Sequence, residues 1–374
     1  MIFAPHPDDE SLACSIILQR AVRAGAAVRV VYATDGDDNP WPQRLVERKW
    51  RLNAADRKRW GKLRRTEALA ALRVLGLQPS SARFLALPDQ KLTRLLTHDC
   101  KPALERFATI IAEWVPTHIL VPSVADTHPD HNALAVMLRL VWANLLLDDP
   151  CLSLWSYVVH GRSPAFFLRA QKLRQSEFEK AIKLEAIRRH KTQLKLSRKR
   201  FLKYAARPEC LLKLNALEAT VTDGSIQSIS RQPSALHLNL KLSVSAVHVV
   251  EPTVFVLGHS MTGTLRCVNI RLPGRSFHSD MSDCATGRCL GPAHYYGNAF
   301  AGELTIPTDT FSSVHSLFVK LDRPSWFFDE VGWLEIPPTA RPNWIVALGR
   351  KLVERPLPAK GHVATASEEV DSSR

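Results

Sequence analysis

No stretch of the sequence reaches the roughly 18 uncharged apolar residues that a membrane-spanning helix needs. Arg20, Arg23 and Arg29 interrupt the longest candidate, so integral insertion is not expected and only peripheral attachment stays open. Cysteines are few: seven, odd in number and scattered, which argues against a disulfide framework and for a reducing compartment. A charged leader followed by an apolar run is also missing. Ile2-Phe3-Ala4 opens directly on a strand, so a cytoplasmic protein without a signal peptide is expected, with association at the inner membrane surface as its one variant. No internal repeat is present, which sets aside a repeat architecture.

Acidic residues are in short supply as well, 36 against 50 lysines and arginines, giving a net charge of +14. The imbalance is local. Residues 44–65 hold ten Lys/Arg and two Asp/Glu, and residues 169–207 hold fourteen and three. Such a field attracts anions: phosphorylated or uronic sugars, or anionic lipid headgroups. A solvated helical face explains the same residues equally well. Nucleic acid would rest on charge alone and would demand steeply salt-dependent binding; it is not an expected partner.

What is there suits an ordinary globular protein: 45% hydrophobic and 23% charged residues over 374 positions, enough for two domains. Short apolar runs at 2–4, 28–33, 84–87, 117–122 and 152–159 read as strands. Helical spacing falls between them at 11–24, 43–75, 101–114 and 132–147. This alternation predicts an α/β fold, a Rossmann-like and mostly parallel sheet flanked by helices. A long basic helix or helix pair is expected over 170–205. The texture then changes: Leu236, Leu238, Leu240, Leu242 and Val244 alternate with polar residues, as in a half-buried strand. The expected division is 1–218 for the α/β domain, 219–337 for an all-β, sandwich-like domain, and 338–374 for a polar, disordered tail.

Two clusters carry chemistry. Pro5-His6-Pro7-Asp8-Asp9-Glu10 follows the first strand, and His128-Pro129-Asp130-His131 follows the strand at 117–122. Both therefore fall beyond the carboxyl ends of strands, where parallel sheets bind their ligands. A His–Asp pair from the first cluster and one His from the second make a two-histidine, one-carboxylate set. That set suits a catalytic zinc, which keeps three protein ligands, and it leaves a carboxylate and a histidine for proton transfer and oxyanion stabilisation. Each cluster alone also has a plain reading, as a helix N-cap or a chance HxxH.

With both motifs intact, the chain resembles the LmbE-like family of N-acetylglucosaminyl-phosphatidylinositol de-N-acetylases (PIG-L) and related sugar deacetylases. Ala33-Thr34-Asp35-Gly36-Asp37, Arg64-Arg65-Thr66-Glu67-Ala68 with Leu75-Gly76, Leu87-Pro88-Asp89 and Ala186 to Gln193 add to the likeness, which covers roughly residues 1–205. Small residues, Ala13-Cys14-Ser15, stand where the family has glycines. The resemblance implies a zinc-dependent hydrolase that removes an N-acetyl group from an amino sugar in a glycan precursor, glycolipid or sugar conjugate. It implies His6, Asp9 and His131 as zinc ligands and Asp8 as the base that activates water. It implies His128 at the oxyanion or the departing amine, Asp130 as the partner that orients a histidine, and Arg64 and Asp89 as substrate contacts. Glu10 is left to a helix cap or to support behind the ligands. Two competing readings remain: hydrolysis of another amide or acyl conjugate, and a non-catalytic glycan-binding protein built on a decayed deacetylase domain. Among weaker features, Cys284 to Cys289 with His278 and His294 matches no common zinc module. Tyr295-Tyr296 and Trp326-Phe327-Phe328 are either core or sugar-stacking aromatics.

Overall fold

The computed structural model describes residues 1–340 except 146–151, 162, 215–223, 242–251, 273–274, 299, 323 and 326. The expected boundary at 218/219, the strand positions Leu242 and Val244, Trp326 and the tail beyond residue 340 lie outside the described residues.

The first unit runs β1 (Ile2–Ala4), α1 (Asp9–Ala13), α2 (Ser15–Arg23), β2 (Val30–Thr34), α3 (Pro40–Glu47), α4 (Ala54–Val74), β3 (Ala82–Leu87), α5 (Leu92–His98), α6 (Lys101–Trp114), β4 (His118–Pro122), α7 (Pro129–Leu145) and β5 (Ser153–Tyr157). It continues with α8 (Pro164–Arg169), β6 (Gln171–Leu173), α9 (Glu177–Arg189), α10 (Lys191–Leu202) and β7 (Glu209–Lys213). The sheet order is β3-β2-β1-β4-β5-β7-β6. Its first five strands are parallel, and β7 runs antiparallel to both β5 and β6. This is the expected α/β architecture. Side chains of the central strands alternate between two cores. Phe3, Val31, Ile119 and Val121 pack with α5, α6 and α7, while Ile2, Ala4, Val30 and Tyr32 pack with α1, α2 and α4. Burial on both faces is why these strands read as apolar runs rather than as alternating ones.

One helix expectation changes. The single helix over 43–75 is split in two. Arg48 sits in the left-handed region (φ 50°), ending α3, and Asn53 restarts the chain with a capping box to Asp56. The basic stretch at 170–205 holds the helix pair, α9 and α10, with His190 at the break between them. The helix expected from 132 begins at Pro129, so Asp130 and His131 lie in the first turn of α7.

The second unit comprises β8 (Ile226–Arg231), β9 (Ala235–Lys241), β10 (Thr253–His259), β11 (Leu265–Arg271), β12 (Arg275–Asp283), β13 (Cys289–Asn298), β14 (Ala301–Pro307), β15 (Leu317–Asp322), β16 (Pro324–Ser325), β17 (Phe328–Asp329) and β18 (Leu334–Ile336). Nine of these strands form one antiparallel sheet, β18-β15-β10-β11-β12-β13-β14-β9-β8; β16 and β17 make a small ribbon of their own. The domain is all-β as expected. It wraps a single core, in which Leu236, Leu238 and Leu240 from one end meet Leu334 and Ile336 from the other. Arg231 spans the two ends. Its guanidinium donates to the carbonyls of Ser312 (2.7 Å), His315 (2.7 Å) and Pro337 (3.1 Å). Burial pulls its pKa down to about 10. The segment Cys284–Cys289 is the β12–β13 turn, pinned by the Asp283 carboxylate on the Ala285 and Thr286 amides, and the six described cysteines are free.

The two units share a core. Leu257, Cys267, Phe318 and Trp333 of the β unit join the cluster built by α5, α6 and α7, and Arg139 of α7 pairs with Glu335 at 2.7 Å. Because Arg231 alone serves three carbonyls, Arg231→Ala is expected to cost roughly 2–3 kcal/mol. Thermal unfolding should show the loss, and Arg231→Lys should recover only part of it.

Candidate metal centre

The sheet order reverses between β1 and β4, the switch point where such folds open a crevice. His6 leaves the carboxyl end of β1 there, and Asp126 to His131 leave that of β4. Main-chain bonds set the first cluster: the His6 amide donates to the Asp9 carboxylate at 2.8 Å, fixing the turn that starts α1.

Three lone-pair atoms result, mutually close. His6 Nδ1 lies 3.2 Å from His131 Nε2 and 3.3 Å from Asp9 Oδ2, and His131 Nε2 lies 3.3 Å from Asp9 Oδ2. A tetrahedral zinc with bonds of about 2.0–2.1 Å has ligand atoms about 3.3–3.4 Å apart. The triangle matches one face of that tetrahedron, and two imidazoles with a carboxylate are a donor set zinc favours.

The far side of each imidazole supports this arrangement. His131 Nδ1 faces Asp126 Oδ2 at 3.3 Å; the same oxygen accepts the amides of Val159 and His160, and Asp126 Oδ1 accepts that of His128. His6 Nε2 faces Asp89 Oδ1 at 3.2 Å and Asp130 Oδ2 at 3.3 Å. Carboxylates placed there hold the tautomer that turns a lone pair inward. Burial opposes charge on His6 and His131, but the carboxylates outweigh it and raise both pKa values. Burial also works against an ionised Asp9, yet His131 and His6 hold its carboxyl well below the ordinary range.

Asp8 differs. Burial raises its carboxyl to about 6; Arg64 opposes that rise and Asp9 adds to it. Arg64 Nη2 donates to Asp8 Oδ2 at 3.0 Å and to the Pro7 carbonyl at 3.2 Å, and Nη1 donates to the Gly36 carbonyl at 2.8 Å. Gly36 is required: a Cβ there would meet the guanidinium at 1.6 Å. His128 accepts the Asp130 amide on Nδ1 at 3.2 Å, which assigns the proton of the neutral ring to Nε2. Burial and its histidine neighbours push the His128 pKa well below normal, so the ring is neutral.

The structure thus brings together His6, Asp8, Asp9, Arg64, Asp89, His128, Asp130 and His131. It places Arg64 and Asp89 beside protein groups: Arg64 braces Asp8, and Asp89 stands behind His6 while accepting the Asp38 amide at 2.7 Å. Asp130 has two backbone anchors, the amides of Gln90 (2.7 Å) and Leu92 (3.0 Å). Glu10 faces His190 at 3.2 Å, tying α1 to the α9–α10 junction. Two residues escaped the sequence reading. Asp126 precedes the second motif by two positions and resembled an ordinary turn residue. His160 stands just past β5, its ring centroid 5.1 Å from that of His131; burial takes its pKa down to about 3. Its signal was a histidine at the carboxyl end of a third parallel strand.

Over these groups lies a cavity of about 400 Å³ lined by His6, Asp8, Asp9, His128, His160, Trp41, Phe327 and Phe328, among others. Residues 1–142 match the family model described as GlcNAc-PI de-N-acetylase, PIG-L. The match covers the first part of the α/β unit, which itself runs to Lys213. A 1D-myo-inositol 2-acetamido-2-deoxy-alpha-D-glucopyranoside deacetylase of Mycobacterium avium (strain 104) is 31% identical to this chain over 140 residues, which are 34% of this chain and 45% of the relative. The chain thus spans about half the length of the curated relatives it matches. Among solved structures, a conserved protein from Thermus thermophilus is 21% identical, with a TM-score of 0.42, over 56% of this chain and 92% of that one. The N,N'-diacetylchitobiose deacetylase from Pyrococcus horikoshii is 18% identical, with a TM-score of 0.43, over 57% and 82%.

The support behind His131 is testable. Asp126→Ala is expected to weaken zinc binding about 10–100-fold, measured by competition with a chromophoric chelator. Unchanged affinity would remove Asp126 from the centre.

Proposed function

We propose that the protein is a zinc-dependent hydrolase that releases acetate from an N-acetylated amino sugar within a larger conjugate. The observation that carries this is the triangle of His6, Asp9 and His131 with Asp8 and His128 beside it. The PIG-L match and the deacetylase activity named for the mycobacterial relative support the same reading. Zinc, when bound, would polarise the amide carbonyl and acidify the attacking water. His6, Asp9 and His131 would hold it.

Asp8 takes the proton of the attacking water. Its carboxylate is buried, so it is a stronger base than an exposed one, and Arg64 holds it in one rotamer. His128 presents a neutral Nε2–H, suited to donate to the oxygen that becomes negative. Asp89 and Asp130 keep His6 turned toward the triangle, and Asp126 does so for His131. Intact ligands and an intact base disfavour a decayed, binding-only domain. Hydrolysis of another acyl conjugate differs only in the shape of the cavity. Acetate release from N-acetylated sugars should vanish with chelator and return with zinc. Asp8→Ala should lose about 10²–10⁴-fold in kcat while keeping its zinc. A variant with full activity would sink the assignment.

We also propose that the protein works at an anionic surface. Much of the basic excess is spent internally: Arg57 on Asp38, Lys49 and Arg59 on Asp56, Arg65 on Asp35, Lys183 on Glu209. Arg48, Arg51, Lys195, Arg198 and Lys199 remain exposed, near Trp50 (72% exposed) and Leu196 (53%). No helix among the described residues is long and apolar enough to cross a membrane. Binding to vesicles containing anionic lipid, read by co-sedimentation, should fall with salt and fall further in Arg48→Glu/Arg51→Glu. Equal binding to neutral vesicles would contradict it.

A further inference from the structure

The β unit lies outside the stretch matched by the PIG-L family, yet it walls the cavity. Phe328 of β17 stands with its ring centroid 5.8 Å from that of His128 and 5.3 Å from that of His160, and the Arg200 guanidinium lies 5.3 Å over its face. Phe327 beside it is 47% exposed and lines the same cavity with Trp41, Leu196 and Phe201.

This wall is locked to the loop that carries His128. The Asp329 amide donates to the Thr127 carbonyl at 2.7 Å, and the Trp333 amide to that of Val124 at 2.7 Å. Asp329 Oδ2 accepts from Asn132 Nδ2 and from Lys320 Nζ, each at 2.7 Å, and all three side chains are buried. Gly332 is pressed so close that a Cβ would meet the Val124 carbonyl oxygen at 2.0 Å and that of Asp126 at 2.9 Å. Removing Lys320 would leave the buried Asp329 carboxylate without its counter-ion, so the position of the wall is held by a buried charge pair.

The geometry points to a specificity role: we propose that Phe327 and Phe328 bind the group attached to the amino sugar, and that the preferred ligand carries a second, flat ring there. The polar groups crowd the floor around His6, Asp9 and His131, where the acetamido group belongs under the reading above, on which the sugar's identity rests. Along the wall, Trp41, Leu196, Phe201, Phe327 and Phe328 make an aromatic and aliphatic stretch, with Asn39, Gln193 and Arg200 as its polar neighbours. A cavity of about 400 Å³ lies within the roughly 300–1,000 Å³ of sites that bury a drug-sized ligand. Aromatic faces favour a flat ring by stacking, an advantage of up to about tenfold per ring. Arg200 backs the Phe328 ring and has no acidic partner among the described residues, so it keeps the aromatic face polarised rather than neutralised.

The test measures binding apart from turnover. Dissociation constants of the p-nitrophenyl and methyl glycosides of N-acetylglucosamine are compared by calorimetry on the zinc-loaded full chain, with acetate followed separately. The wild type should prefer the aryl glycoside by about tenfold. Phe328→Ala should abolish the preference while leaving the methyl glycoside and zinc content unchanged. Phe328→Tyr should restore it. Phe327→Ala, at an exposed position, should weaken it without disturbing the fold. Equal affinities in the wild type, or a preference that survives both alanine variants, overturn the proposal. Aryl preference without acetate release would sink the hydrolase reading and leave the wall; acetate release without aryl preference would do the reverse.

Discussion

Three lone-pair atoms from stretches 122 residues or more apart face one another at 3.2–3.3 Å, and the rest of the site is arranged around them. Unprotonated nitrogens and a carboxylate oxygen repel at that separation unless a cation or a shared proton sits among them. In the neutral His131 ring, Asp126 takes the proton on the far side and leaves the inward nitrogen its lone pair. Asp89 and Asp130 do the same for His6. Three buried carboxylates thus stand behind the two imidazoles and orient their lone pairs inward, an arrangement that a divalent cation stabilises.

The parallel sheet makes that convergence cheap. β1 and β4 are neighbours at the point where the strand order reverses, so segments remote in sequence leave the sheet side by side. Around them, Arg64 and Glu67 on one face of α4 clamp opposite edges: Arg64 holds Asp8, and Glu67 accepts from the amide and hydroxyl of Thr192. Each element near the centre is tied by a buried, charged contact, which leaves few ways for the donors to drift apart.

The α/β class was legible because strands buried on both faces are apolar throughout, and those at 2–4 and 118–122 end directly at the motifs. The ligand candidates were legible because His6, Asp9 and His131 lie in compact motifs. Asp126 and His160 were not, since a lone aspartate in a turn and a lone histidine after a strand carry no local pattern; only packing brings them to His131. The split of 43–75 depends on a single left-handed residue, Arg48, whose type does not announce it. The β unit was read as all-β from its alternating leucines. Its closure through Arg231 and its reach into the cavity through Phe328 arise from contacts across 80 to 200 residues, which periodicity cannot express.

Zinc K-edge X-ray absorption on the zinc-loaded protein tests the central claim most directly. Two imidazole nitrogens and one carboxylate oxygen are expected at about 2.0–2.2 Å, with solvent completing a four-coordinate shell. A shell without imidazole, or a protein that takes up no zinc, would contradict it.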